Sequence, residues 1–91
     1  MKWLPEALED LERLHQYLVT VSPEAAQRAA KAILDGADQL EANPMIGRPQ
    51  QSGARDWFVP FGVAAYVLRY RLDEQGSPVV LRVWHSREDR R

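Results

Sequence analysis

One feature limits what this chain can fold into more than any other: its hydrophobic period changes near residue 43. Upstream, apolar residues recur at helical spacing; downstream, they alternate at period two. A chain of 91 residues with both patterns must pack helices on strands to bury either.

Leu4, Leu8, Leu11, His15 and Leu18 mark one helical face, widened by Leu14 and Tyr17. Pro5 suits a first turn, where its missing N–H costs nothing, and Glu6, Glu9 and Asp10 suit the positive end of the helix dipole. The spacing predicts a helix over about residues 5–20. Ser22-Pro23-Glu24 reads as a second start, with Ser as cap and Pro at the first helical position. Ala26, Ala29, Ala30, Ile33, Ala37 and Leu40 continue it until Asn43-Pro44. The short connection at Val21-Ser22 predicts an antiparallel helical hairpin.

Residues 43–54 read as a loop rich in Gly, Pro and polar groups. Three strands are expected after it. Asp56–Val59 ends at a Pro60-Phe61-Gly62 turn, and Val63–Leu72 follows. Asp73–Ser77 then makes a hairpin turn into Val79–His85. In the middle strand Ala64, Tyr66, Leu68, Tyr70 and Leu72 share one face; Val63, Ala65, Val67, Arg69 and Arg71 share the other. In the last, Val79, Leu81, Val83 and His85 oppose Val80, Arg82 and Trp84. Trp3 and Leu4 could add a short edge strand. The expected fold class is α+β, one domain over residues 1–91. An N-terminal antiparallel helical hairpin packs on one face of a small, mainly antiparallel β-sheet. The other face carries Arg69, Arg71 and Arg82 toward water or a partner.

With no cysteine, disulfides, thiolate chemistry and zinc-finger spacing are excluded. No metal and no cofactor are expected: His15 lies on the core stripe of the first helix and has no second ligand at a useful spacing. The N-terminus turns acidic before an apolar run develops, and Val63–Leu68 is too short to span a bilayer; the expected location is the cytoplasm, away from membranes. Net charge is −1, but unevenly spread. Residues 1–46 hold four cations against eight acids, and residues 47–91 eight arginines against five acids. That asymmetry suggests one face that meets something anionic.

Several stretches together resemble the ParE/RelE superfamily of small bacterial toxins. Trp3 followed by Ala7, Asp10 and Leu11 is similar to the family's opening, and Ser22-Pro23-Glu24-Ala25-Ala26 to its inter-helix connection. Leu40 to Pro49, with Pro44 and Gly47-Arg48-Pro49, resembles its L-x-x-x-P-x-x-G-R-P segment. Tyr66-Val67-Leu68-Arg69-Tyr70 and Val83-Trp84-His85-Ser86-Arg87 resemble its central and terminal strands. The resemblance implies a toxin of a type II toxin–antitoxin system. Its partner would be a cognate antitoxin, a dimeric DNA-binding protein whose disordered tail folds on the sheet.

Two branches of the superfamily share that fold, so the fold does not choose between them. The ParE-like branch inhibits DNA gyrase by protein–protein binding and needs no catalytic site. The RelE-like branch cuts mRNA on the ribosome. Cleavage needs an acid or base and cations on the phosphate, for which His85, Arg69 and Arg87 are the candidates, with Arg82 as a further phosphate holder. Here Arg87 is followed by Glu88-Asp89-Arg90-Arg91, with no tyrosine and two acids, and the pI is 6.1. Both features favour the gyrase reading. A third possibility is a non-toxic homologue that only binds its antitoxin. The expected antitoxin- or target-binding residues are Arg48, Trp57, Arg69, Arg71, Arg82, Trp84 and Arg87.

Each also has a plain structural reading. His85 could be a hydrogen-bonded core residue, Tyr66 and Tyr70 fit the core face, and Arg48 could pair with Glu41. Gly47-Arg48-Pro49 reads as a turn, and Arg90 and Arg91 as a frayed tail.

Overall fold

The computed structural model describes residues 1–88 of the chain. Strand β1 (Lys2–Trp3) leads into helices α1 (Pro5–Val21) and α2 (Pro23–Ala42), followed by β2 (Arg48–Pro49), β3 (Arg55–Phe61), β4 (Ala64–Leu72) and β5 (Pro78–His85). The sheet order is β1-β5-β4-β3-β2. Among the described residues only the β1–β5 pairing is parallel. Both helices pack against the sheet, as the α+β expectation requires.

Ser22 alone separates the helices. Its Oγ accepts from Ala25 N at 3.2 Å, the cap that its place before Pro23 implies. The face that α1 buries is rotated from the expected leucine stripe. Ala7, Asp10 and Leu14 are buried and Leu11 and Leu18 half-buried, while Leu8 and His15 are exposed. Leu8 and His15 therefore flank the core, and His15 is not a core residue. On α2, Ala30 is likewise exposed, and Gly36 is buried instead. A Cβ on Gly36 would meet Val59 Cγ2 at 2.4 Å, so the missing side chain is what lets α2 settle on β3. Trp57 Nε1 donates to Gly36 O at 3.0 Å beside that contact.

The loop over residues 43–54 contains a two-residue strand, β2, paired with Arg55 and Asp56. Pro44–Gly47 is fastened to the sheet from below. The Tyr70 hydroxyl donates to Pro44 O at 2.7 Å and accepts from Gly47 N at 2.9 Å. Gly47 approaches that ring so closely that a Cβ would lie 2.6 Å from it, a stronger requirement than a turn alone. Arg55 donates to the Met45 and Gly47 carbonyls from the other side. Arg48 does not pair with Glu41, which faces the N-terminal amine instead.

Strand β3 runs past its expected end, through Pro60 to Phe61. Pro60 pairs with Ala65, whose own N–H and C=O bond to Ser86, so the missing N–H breaks no rung of the ladder. Gly62, at φ 63°, then makes the two-residue hairpin possible.

The alternation expected for β5 fails at one residue. Arg69 pairs with Arg82, but Tyr70 pairs with Val80, leaving Leu81 as a bulge. Val80 and Val83 therefore both reach the core, and Val79 shares neither's face. Tyr66, Leu68 and Tyr70 of β4 are fully buried beneath the helices, as their alternation implies.

Candidate functional site

The central arginine of the open sheet face is tied by a carboxylate. Asp56 on β3 sits directly opposite Arg69 on β4, and Arg69 Nε and Nη2 reach its two oxygens at 2.8 and 2.9 Å. This bidentate pair, with Asp56 buried, holds the guanidinium flat. The Arg69 carbon centre lies 5.1 Å from the Trp84 ring, the next residue along on β5's same face. Hydrogen bonding to Asp56 pushes the Arg69 pKa above its already high value. Arg48 similarly lies over Phe58 at 5.5 Å. Phe58 and Arg71 are exposed, and Val67 is buried between the Phe58 and Trp84 rows. The face is thus an aromatic and aliphatic platform on which Arg48 and Arg69 are stacked and Arg71 is exposed.

Arg82 leaves that face. Past β1, the outer edge of β5 has no strand beside it, and α1 lies there instead. Asp10 on α1 accepts from Val83 N at 2.8 Å, standing in for a strand partner. Arg82 closes on the same carboxylate through Nε at 2.8 Å and Nη2 at 3.1 Å. Burial pushes the Asp10 carboxyl up, but Arg82, the Val83 N–H and Arg13 together outweigh it and hold the group below its ordinary value. Arg13 extends the chain of charges to Glu88 at 2.5 Å, and Glu88 Oε1 accepts from His85 N at 2.8 Å. Of this network the sequence pointed to Arg82 and His85; Asp10 entered only as an acid near the helix N-terminus and within the family-like opening, and its partner Arg82 stands 72 residues away.

His85 belongs to the other side of the sheet. It pairs with Tyr66 across the ladder, and the two rings meet edge-on with centroids 5.3 Å apart. His85 Nδ1 accepts from Arg87 N at 3.2 Å, which leaves Nε2 to carry the proton of the neutral ring. His85, Arg87, Glu88, Tyr66, Tyr17 and Arg13 surround a recess of about 520 Å³ at this end of the molecule. Burial, and then the Glu88 carboxylate, push the Tyr66 phenol above its ordinary pKa.

The seven residues expected at an interface therefore separate. Arg48, Arg69, Arg71 and Trp84 share the open face. Trp57 turns to the helices and Arg82 to the α1 edge. Arg87 joins His85 at the recess. His85 and Arg69, the two central residues of the cleavage scheme, lie on opposite faces of β4–β5. Arg90 and Arg91 lie outside the described residues. Among the described residues no group of His, Asp and Glu is arranged to hold a metal, and no helix is long and apolar enough to cross a membrane.

The family described as "ParE toxin of type II toxin-antitoxin system, parDE" matches residues 1–90. Toxin RelE3 of Caulobacter vibrioides is 38% identical over 86 residues, spanning 94% of this chain and 92% of that protein. Toxin RelE1 of the same organism is 41% identical over 85 residues, spanning 92% and 89%. A solved structure titled "Chromosomal ParDE TA system from P. aeruginosa" superposes with a TM-score of 0.70 at 26% identity, covering 92% of this chain and 91% of that one.

Proposed function

The chain belongs to the ParE toxin family of type II toxin–antitoxin systems, within the ParE/RelE superfamily, and we propose that it acts on DNA gyrase by binding. The toxin would hold the enzyme at its cleaved-DNA intermediate, with every bond made or broken by gyrase itself. The observation that carries this reading is the separation of His85 from Arg69. General acid–base cleavage of RNA needs the proton-transfer group and the phosphate cations around one scissile bond. Here the sheet stands between them, and Arg69 and Arg82 already spend their charge on Asp56 and Asp10. An inhibitory surface has no such requirement. It needs shape and a few anchors, which Arg48, Phe58 and Arg71, exposed over the buried Val67 and Trp84, supply.

A toxin of this kind is paired with a cognate antitoxin. We assign the antitoxin to the open face, as a dimeric DNA-binding protein whose disordered tail orders there, and we place the complex in the cytoplasm with gyrase. One observation favours a second reading, the mRNA endonuclease. His85, Arg87 and Tyr66 do share a recess, and a ribosomal active site could be completed from it.

The deciding experiment titrates purified toxin into a gyrase supercoiling reaction. The expected result is dose-dependent loss of supercoiling with trapped linear DNA, reversed by the antitoxin. If gyrase is unaffected at stoichiometric excess, and His85→Ala abolishes growth arrest in a folded protein, the endonuclease reading replaces this one.

A further inference from the structure

Exposure is uneven across the open face. On β4 and β5 its large apolar residues are already covered: Val67 is 1% and Trp84 9% exposed. On β3 they are not. Phe58 is 41% exposed, and Pro60, two residues further along the same face, is exposed as well. Arg48 of β2 lies over the Phe58 ring. Just before β2, Met45 stands 59% exposed. Methionine, aromatic rings and arginine are the residues enriched where folded proteins meet.

The backbone of this corner is held firmly. The Tyr70 hydroxyl donates to Pro44 O and accepts from Gly47 N, while Arg55 donates to Met45 O and Gly47 O. Two side chains thus fix the span 44–47 through four hydrogen bonds. Water could satisfy the same groups in a loose loop; Tyr70 and Arg55 give it one shape instead. That shape identifies the kind of occupant. A disordered tail can mould itself to the surface it meets, so a fixed loop brings it little. A folded partner adapts far less, and a contact already in its bound shape avoids an ordering cost on this side. Charge adds a second requirement. Arg69 is tied to Asp56, Arg55 is turned to the loop carbonyls, and Glu41 faces the N-terminal amine. Arg48 and, further along the face, Arg71 have no carboxylate within ion-pairing distance among the described residues. The corner therefore matches an apolar hollow rimmed by carboxylates.

We propose that the corner formed by Met45, Arg48 and Phe58 is the part of the toxin that meets its target, a folded protein surface with an apolar hollow rimmed by carboxylates. Tyr70 and Arg55 are positioning residues for it. The inference rests on the reading that the target is a protein, and it deepens that reading by separating the target contact from the part of the open face left to the antitoxin tail.

The test compares full-length variants in two titrations: gyrase supercoiling, and antitoxin affinity by displacement calorimetry. Met45→Glu and Arg48→Ala are expected to lose about tenfold or more in inhibition, as removal of an interface anchor does. Both side chains are exposed, so melting temperature should stay at the wild-type value and antitoxin affinity within about twofold of it. Arg28→Ala removes the same charge from an exposed position on α2 and should inhibit as wild type. Tyr70→Phe should weaken inhibition in a protein still folded at the assay temperature. In that background Met45→Glu should cost less than it does alone, because the loop no longer presents it in one shape; strictly additive losses would make Tyr70 structural only and overturn its positioning role. Inhibition within about twofold of wild type for both Met45→Glu and Arg48→Ala overturns the proposal. So does an equal loss in Arg28→Ala, which would reduce the effect to long-range charge. Antitoxin affinity that falls in step with inhibition also overturns it, and gives the corner to the antitoxin. If wild-type toxin leaves gyrase unaffected, the gyrase reading falls instead. Growth arrest by the same variants, expressed without antitoxin, then decides for this surface, and arrest at wild-type strength in both overturns it.

Discussion

Replacing Gly36 with alanine sets two physical effects against each other, and the structure decides between them. Within a helix, alanine is favoured over glycine by about 1 kcal/mol through backbone entropy. On that ground alone the variant would gain stability. The added methyl, however, would stand 2.4 Å from Val59 Cγ2 and 3.1 Å from Cγ1. Val59 is β-branched, 5% exposed and held within β3, so its side chain has little freedom to retreat. Either the helix lifts or the strand sinks, and overpacking of this kind costs about 1–3 kcal/mol. Lifting would also strain the Trp57 hydrogen bond to the Gly36 carbonyl. The expected net effect is a loss of about 1–2 kcal/mol. For a domain of this size that is a fall of roughly 5–15 °C in melting temperature. Thermal and urea denaturation of Gly36→Ala measure it. A second variant, Val59→Ala, makes room. In that background Gly36→Ala should become neutral or stabilising, giving a coupling of at least about 1 kcal/mol in the double-mutant cycle. A Gly36→Ala protein that melts at or above wild type, or a cycle with no coupling, would refute the argument that Gly36 is there for close approach.

Other expectations follow from the ion pairs and the Tyr70 staple. Asp10→Ala should cost about 2–3 kcal/mol by denaturation, because it strands the Val83 N–H and the Arg82 guanidinium. Since the folded carboxyl titrates below its ordinary 3.8, its contribution is complete above that pH and is lost as pH falls through the lower folded value. Wild-type stability should thus fall more steeply below pH 4 than that of Asp10→Asn, measured from pH 5 to 2. Tyr70→Phe removes a donor to Pro44 and an acceptor for Gly47; a loss of about 2 kcal/mol is expected, with faster amide exchange at Gly47. Arg69→Ala leaves Asp56 buried and unpaired, so a loss of about 1–3 kcal/mol and a changed Trp84 fluorescence are expected. Lost toxicity in that variant therefore reports on catalysis only if both readouts stay at wild-type values.

Local chemistry was the legible part. Pro5, the Ser22 cap, Asn43-Pro44 and the clean alternation of Tyr66, Leu68 and Tyr70 all act within a few residues of themselves, so periodicity and capping rules find them. What escaped depends on distant partners. Asp10 looks like a solvated acid near the start of the helix until Val83 and Arg82 arrive from the far end of the chain. That buried carboxylate also rotated the buried face away from Leu8 and His15, since the face that must hold Asp10 cannot also hold Leu8. The Leu81 bulge is one unpaired residue, and nothing in Val79–His85 marks it. For the candidate site, alternation separated Arg69 from His85 correctly. It could not tell that Asp56 would occupy Arg69, because that pairing is set by the register of β3 on β4.

The carboxylates along β5 have a consequence for the chain when it is alone. An open sheet edge is a template on which other strands can assemble. Here the two outward N–H groups beyond β1, on Val83 and His85, are already occupied by Asp10 and Glu88. On the far side β2 covers only the start of β3, and Pro60 interrupts the remainder. Among the described residues, a toxin stripped of its antitoxin therefore offers no run of free donors from which a fibre or a misregistered dimer could grow along either edge.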